Sequence, residues 1–289
     1  MKKKRVKGNF HSDGPLYLIS LDGHNKLKGF DNWAFPIGVY GCIDTFSRKI
    51  MFMDVLRSNS NPIFIAFCYV KFLKETKILP ENMRLDKGTE TVDMTAVHSW
   101  LTKKLRPDIA DPTTTVRFGA SVDNKIERLW LDIRLKVVDK FKKELIYLQR
   151  NGFYDAESEE ERDILAYSFI PVVQREVDRF VCFWNHHKIR RQNEKGDKIL
   201  PDGAVNFIFD NPEVFGFRQH GTPIPDRLVD EVSSLIPLPQ CLDIVLNHDV
   251  LQFCEQHHPT INDLNSPCEA RDAFIELKNK WCSHVGLYV

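Results

Sequence analysis

FPIGVYGCIDTFSRKIMFMDVL, residues 35–56, holds two apolar runs, 35–44 and 49–56, separated by the polar link TFSR. Short runs of β-branched and aromatic residues bounded by turn residues read as strands. A short polar link between two such runs predicts an antiparallel hairpin. Upstream, LYLISLD (16–22) is a third apolar run, closed by an acid. It reads as a buried strand. Downstream the period changes. In NPIFIAFCYVKFLKET (61–76) Phe64, Phe67, Cys68, Phe72 and Leu73 follow three- and four-residue steps, which predicts a helix. MRLD (83–86) reads as a short fourth strand and TVDMTAVHSWLTKKL (91–105) as a second helix. RPDIADPTTTVRFGAS (106–121) is punctuated by Pro and Gly and leaves room for one short strand. Three consecutive strands followed by alternation predict an α/β fold, a mixed sheet with helices on its faces.

The remainder reads as mostly helical. Ile126, Leu129, Ile133, Val137, Phe141, Leu145 and Leu148 form one apolar stripe through residues 123–150. DAESEEERD (155–163) reads as a linker and helix start with Ser158 as N-cap. A second long helix follows, with Leu165, Phe169, Val172, Val173, Val177, Phe180 and Trp184 on one face and a kink expected at Pro171. Beyond about residue 200 the chain is richer in Pro and its elements read as short. The organisation expected is a basic tail (1–13), a core (14–150), a helical extension (151–222) and a small C-terminal region of unknown role (223–289).

Composition narrows the classes. The 289 residues are 43% hydrophobic and 28% charged, ordinary for a globular protein. No apolar run reaches a membrane span, and no apolar segment follows the basic N-terminus as a secretory signal requires. Neither G-x-x-x-x-G-K-[ST] nor G-x-G-x-x-G occurs, so no nucleotide cofactor is expected. Seven widely spaced cysteines without C-x-x-C fit a reducing compartment. Net charge is +0 but unevenly spread: residues 1–7 carry five basic groups and no acid. KKKRVK (2–7) therefore reads as a nuclear import signal or DNA-contacting arm, or else as a solvated tail. A nuclear or nucleocytoplasmic location is expected.

LDKGTE (85–90) sets an acid at the end of an apolar run, where the plain reading is a turn aspartate capping the next helix. Asp22 closes the first strand in the same way, and Glu127 sits in the first turns of the long helix. Carboxylates from two strand ends and a helix can converge at one sheet edge, where they repel one another unless a cation lies between them. Such oxygen ligands suit Mg²⁺ or Mn²⁺. Asp44, Asp54 and Asp123 compete for these roles, Asp44 reading better as the organiser of the hairpin turn.

LISLDGHNKL, YGCIDTFSRKI, RLDKGTE and RFGASVDNKIERLW resemble, in order, the catalytic core of retroviral and retrotransposon integrases and their DDE transposase relatives. The likeness runs from about Gly14 to Arg150. FWNHHKIRR, with LPDG downstream, is similar to the Trp-Asn-x-His stretch beyond that core in the integrase-like proteins of animal genomes. The resemblance implies an RNase H-like, five-stranded mixed sheet flanked by helices, with a mostly helical C-terminal extension. It places the metal-binding catalytic acids on Asp22, Asp86 and Glu127, holding two Mg²⁺ or Mn²⁺ ions for direct transesterification of DNA. DNA and further copies of the chain are the partners implied, with no membrane and no nucleotide. Lys125, Arg128 and Arg134, near the catalytic end of the helix, are candidates for DNA phosphate contacts, against the plainer reading of a solvated face. Gly88 is expected to let the backbone turn beside Asp86.

The sequence departs from the family pattern in three places. Asp123 stands where Asn or Gln is common, four residues before the Glu, and Thr91 follows GTE where Asn is frequent. The family's His-His-Cys-Cys zinc module has no counterpart in the basic segment before the core. These departures keep an alternative open: a domesticated, non-catalytic DNA- or protein-binding module that retains the fold. A structure-specific nuclease is a third reading. Trp184, Asn185, His187 and Arg190 are expected to brace the core against the extension. Cys254, His257, His258, Cys268, Cys282 and His284 match no zinc spacing.

Overall fold

The computed structural model describes residues 12–24, 34–119, 125–189, 201–236 and 246–286; the side chains of Lys125, Glu127 and Arg128 lie outside that description. The basic segment 1–11, Asp123 and Arg190 also lie outside the described residues.

The hairpin forms as its pattern demands. β1 (Leu18–His24), β2 (Gly38–Asp44) and β3 (Ile50–Leu56) pair antiparallel in succession. α1 (Pro62–Thr76) returns the chain past a two-residue β4 (Ile78–Leu79) to β5 (Asn82–Leu85), which runs parallel to β1. α2 (Val92–Leu105) leads to β6 (Val116–Phe118), parallel to β5. The sheet order is β3-β2-β1-β5-β6, a five-stranded mixed sheet flanked by helices. β1 extends beyond its apolar run: Asp22 pairs with Gly41, Gly23 with Tyr40 and His24 with Val39. Asp22 is therefore inside the strand, not at its end. Strand partnership overrides the weak propensities of Asp and Gly.

Two-residue alternation divides the core. Ile19, Leu21, Tyr40, Cys42 and Phe52 face α1 and α2, packing with Ile65, Tyr69, Phe72, Met94 and Leu101. Val39, Ile43, Met53 and Val55 face the opposite side. There lie α3 (Lys125–Ile133), α4 (Asp139–Arg150) and α5 (Glu159–His186). All seven residues of the predicted stripe from Ile126 to Leu148 are buried. The helix carrying them is not uniform: Arg134–Val138 is a π turn between α3 and α4. Each four-residue step from Leu129 to Leu145 overruns an α-turn by about 40°. The wider π turn takes up part of that drift.

Ser158 caps α5 as expected, its hydroxyl accepting from the Glu161 N–H at 3.2 Å. Glu159, Glu160 and Glu161 then sit in the first turn, where the helix dipole favours negative charge. The 28-residue helix continues through Pro171 without interruption. Short elements follow as expected: β7 (Lys188–Ile189) pairs with β8 (Gly203–Ala204), and α6 (Val205–Asp210) precedes β9 (Thr222–Pro223), which pairs with β4. α7 (Asp226–Leu235) then places Leu228, Val229 and Val232 in the core on the α1 side. α8 (His248–His257) and α9 (Pro267–His284) pack on the other side, where Val250, Leu251, Phe274 and Leu277 join the core around α4 and α5. α9, at 18 residues, is longer than the expected short elements. No helix among the described residues is long and apolar enough to cross a membrane.

Candidate carboxylate site and its supports

Asp22 lies near the middle of the sheet, on the strand shared by its antiparallel and parallel halves. Alternation along β1 turns its side chain toward α3, opposite to Ile19 and Leu21. Both carboxylate oxygens are oriented: Oδ1 accepts from the Gly23 N–H at 2.8 Å, and Oδ2 accepts from the Trp130 indole N–H at 2.8 Å.

Asp86 follows β5 directly. Ser20 and Arg84 are partners on the parallel strands β1 and β5. Asp22 and Asp86 each come two residues after that pair, Asp22 still within β1 and Asp86 one residue past the end of β5. The capping reading for Asp86 does not hold. The turn at Thr89–Thr91 has Gly88 as its N-cap and α2 has Thr91, neither with a side-chain capping bond. Asp86 is exposed, and among the described residues no hydrogen bond or ion pair to it is present.

Gly88 does not turn the chain sharply. Its φ of −156° and ψ of 153° are extended backbone that any residue adopts. The Glu90 carboxylate fills the space where a side chain at Gly88 would stand. That neighbour is the end of a flexible side chain, so substitution there displaces Glu90 rather than the backbone.

The helical turn bearing Glu127 lies over β1 and β2. Its neighbours Ile126 and Trp130 converge on Gly41, the residue paired with Asp22. A Cβ at Gly41 would stand 3.2 Å from the tip of the Trp130 ring and 3.7 Å from the end of Ile126. Glycine thus permits the close approach of α3 to the sheet. The backbone brings the turn of Glu127 to the level of Asp22, while the Glu127 side chain lies outside the described atoms. Among the described side chains, no group of three or more His, Cys, Asp or Glu is arranged to hold a metal ion.

The competing acids have other work. Asp44 is fully buried; Oδ1 accepts from the Leu16 N–H at 2.8 Å, and Oδ2 accepts from the Ser47 N–H at 2.7 Å and hydroxyl at 2.6 Å. It organises the hairpin turn as expected, with burial pushing its carboxyl up to about 6 against those bonds. Asp54 faces α1 and pairs with Lys71 at 2.9 Å. Of the three basic candidates, Arg134 is the one whose side chain is described, and it is exposed where the π turn begins.

Trp130 carries a polar group at this site that the sequence reading did not single out. Trp130 stood in the quoted ERLW motif, one turn after Glu127, on the face that the stripe marks as inward. Its ring stacks on His24, with centroids 4.9 Å apart and planes 11° apart. Tyr40 lies beside Gly23 on the opposite face of the sheet, its hydroxyl buried and without a hydrogen-bond partner among the described residues. Burial first, then the neighbouring Cys42 and Asp22, push its phenol well up, so it remains a protonated donor.

Trp184 and Asn185 brace the core as the sequence suggested. The Trp184 indole N–H donates to the Arg48 carbonyl at 2.8 Å, and the Asn185 amide bonds both the N–H and the carbonyl of Ile50. His187 turns its Nδ1 to the Trp184 carbonyl. Gln174 repeats the device three turns earlier, accepting from the Val55 N–H and donating to the Met53 carbonyl. The six cysteines among the described residues are free thiols.

Residues 9–208 of the chain match the family description of the integrase core domain. No curated protein and no solved structure gives a significant match.

Proposed function

The chain belongs to the integrase core domain family, and from that premise we propose that it is a polynucleotidyl transferase acting on DNA phosphodiesters. The observation that supports the reading is that Asp22 lies in β1 and Asp86 directly follows β5, its parallel neighbour, while α3, which bears Glu127, packs Ile126 and Trp130 against Gly41, the strand partner of Asp22. Integrase core domains generally use divalent metals. The donor set here suits them: Asp22 is held in a fixed orientation, Asp86 is exposed, and all three candidates offer carboxylate oxygens. Asp22, Asp86 and Glu127 would hold two Mg²⁺ or Mn²⁺ ions. Bound there, such ions would activate the attacking oxygen and stabilise the leaving one.

The chain's own residues contribute position and charge. Gly23 and Trp130 fix the Asp22 carboxylate, so it need not be ordered when charge arrives. Arg134 lies two helical turns beyond Glu127 on nearly the same face, about 10 Å along the axis. That distance is about three nucleotides' rise on one strand, which suits a phosphate contact beside the reacting one. Lys125 and Arg128 are proposed to act with it. The basic segment 2–7 is proposed to direct nuclear entry or to contact DNA, and the working form is proposed to be a homo-oligomer.

Calorimetric titration with Mn²⁺, paired with strand transfer on short duplex ends, tests the reading. Asp22→Asn, Asp86→Asn and Glu127→Gln should each weaken metal binding and abolish transfer. Wild-type protein that binds DNA without responding to metal would instead support the domesticated, non-catalytic module.

A further inference from the structure

We propose that Trp130 is a positioning residue for the metal-binding carboxylates, its indole N–H holding Asp22 in the orientation that receives the ion. The inference rests on the reading of the site given above.

The geometry is specific. The indole N–H donates to Oδ2 of Asp22 at 2.8 Å, while Oδ1 is held by the backbone N–H of Gly23. A carboxylate held by a donor at each oxygen cannot rotate about its χ2 without breaking a bond. The ring that supplies the second donor is itself fixed on two sides. One face stacks on His24, two residues along the strand from Asp22, and its far edge meets the bare backbone of Gly41, the strand partner of Asp22. Trp130 is one helical turn from Glu127. One side chain therefore ties the helix carrying one proposed ligand to the strand carrying another. Groups that orient metal ligands in this way typically change affinity by roughly 10- to 100-fold when removed. A buried indole N–H needs some acceptor; Trp184 uses a backbone carbonyl, whereas Trp130 uses the carboxylate of a proposed metal ligand.

The test removes the N–H and keeps the ring. Trp130→Phe retains an aromatic ring against His24 and the sheet; the sulphur isostere of tryptophan, benzothienylalanine, at position 130 retains the whole bicycle. Both should keep the wild-type far-ultraviolet circular dichroism and raise the Mn²⁺ dissociation constant by roughly tenfold or more. The second readout is the indole ¹⁵N–¹H resonance, assigned by its loss in Trp130→Phe. It should move on Asp22→Asn, and in wild-type protein it should move on adding Mg²⁺. Should Trp130→Phe fail to fold, the isostere carries the test. Mn²⁺ affinity within twofold of wild type in the isostere protein, or an indole resonance indifferent to Asp22→Asn, overturns the positioning role. Wild-type protein that binds no Mn²⁺ while the indole resonance still responds to Asp22→Asn overturns the metal-site reading itself, and with it the role for Trp130.

Discussion

Asn185→Leu removes the group that completes the edge of the sheet. β3 pairs with β2 on one side and, among the described residues, has no strand on the other. At Ile50 the open side is met by Asn185, whose Oδ1 accepts from the backbone N–H at 2.9 Å and whose Nδ2 donates to the carbonyl at 3.0 Å. Ile50 and Asn185 are both buried, so water cannot replace the amide without opening the contact. Leucine has similar size but neither donor nor acceptor. Each orphaned backbone group costs about 1–3 kcal/mol. The added apolar surface offsets about 1 kcal/mol of this. The net loss for the two groups together is about 1–5 kcal/mol, which for a chain of this size lowers the melting temperature by roughly 2–20 °C. Urea denaturation followed by circular dichroism measures it. A companion, Gln174→Leu, should behave alike, because it strips the Val55 N–H and the Met53 carbonyl. A loss below about 0.5 kcal/mol for Asn185→Leu would refute the argument, since two buried backbone groups cannot be left unpaired so cheaply.

Two buried titrating groups give pH slopes of opposite sign. The Asp44 carboxyl, raised by burial to about 6, stabilises the fold at low pH, and that contribution is lost as pH rises from 3.8 through 6. The loss is about 3 kcal/mol, and Asp44→Asn should erase that slope from urea midpoints taken across pH. His98 is lowered by burial to about 3, with its Nδ1 against the Tyr69 hydroxyl at 2.7 Å. Its contribution is complete above pH 6.5 and falls by up to about 5 kcal/mol as pH drops through 3, a slope that His98→Asn should abolish. Gly41→Ala would set a methyl 3.1 Å from the end of Met53 and 3.2 Å from the Trp130 ring. The methionine can yield but the indole, held by His24 and Asp22, cannot, so a loss of about 1–3 kcal/mol is expected in thermal melts. Deleting residues 2–7 should leave the melting temperature unchanged and abolish nuclear accumulation of a fluorescent fusion, seen by microscopy.

The hairpin, the first two helices and the buried stripe were legible because each repeats a local period. Ser158 was legible because a capping residue announces itself by type and by the run of acids after it. Features that depend on partners distant in the chain were not legible. β1 continues through Asp22, Gly23 and His24 because β2 lies beside them, and no propensity of those three residues says so. β4 and β9 are two-residue bridges joining segments far apart in the chain, too short to carry a pattern. The π turn was hinted at by four-residue steps too long for an α-helix, although the stripe also reads as one continuous face. Gly88 shows the opposite error: a glycine beside an acid suggested a turn, where the backbone is extended. At the site, the acids were legible as residue types in a motif, but the indole that orients Asp22 was not. Its signal was a nitrogen-bearing aromatic on the inward face, one turn from the motif's Glu.

The stretch after the core closes the sheet, and its effect reaches the carboxylates by a short chain of contacts. α5 supplies the amides that satisfy the open side of β3 at Ile50, Met53 and Val55. An uncovered edge there would offer those groups to any passing strand. β3 in turn is the outer partner of β2, and Met53 stands opposite Gly41 in that pairing. Gly41 lies opposite Asp22 on the next strand and receives the edge of Trp130, whose nitrogen holds Asp22. Loosening the edge frees β2 to shift against α3, and a shift of a fraction of an ångström at Gly41 changes the angle at which the indole meets the carboxylate. Chemistry that depends on fixed separations between carboxylates on different strands is sensitive to such shifts. The Trp-Asn motif, though it offers no metal ligand of its own, belongs to the same mechanical unit as the acids it helps to hold.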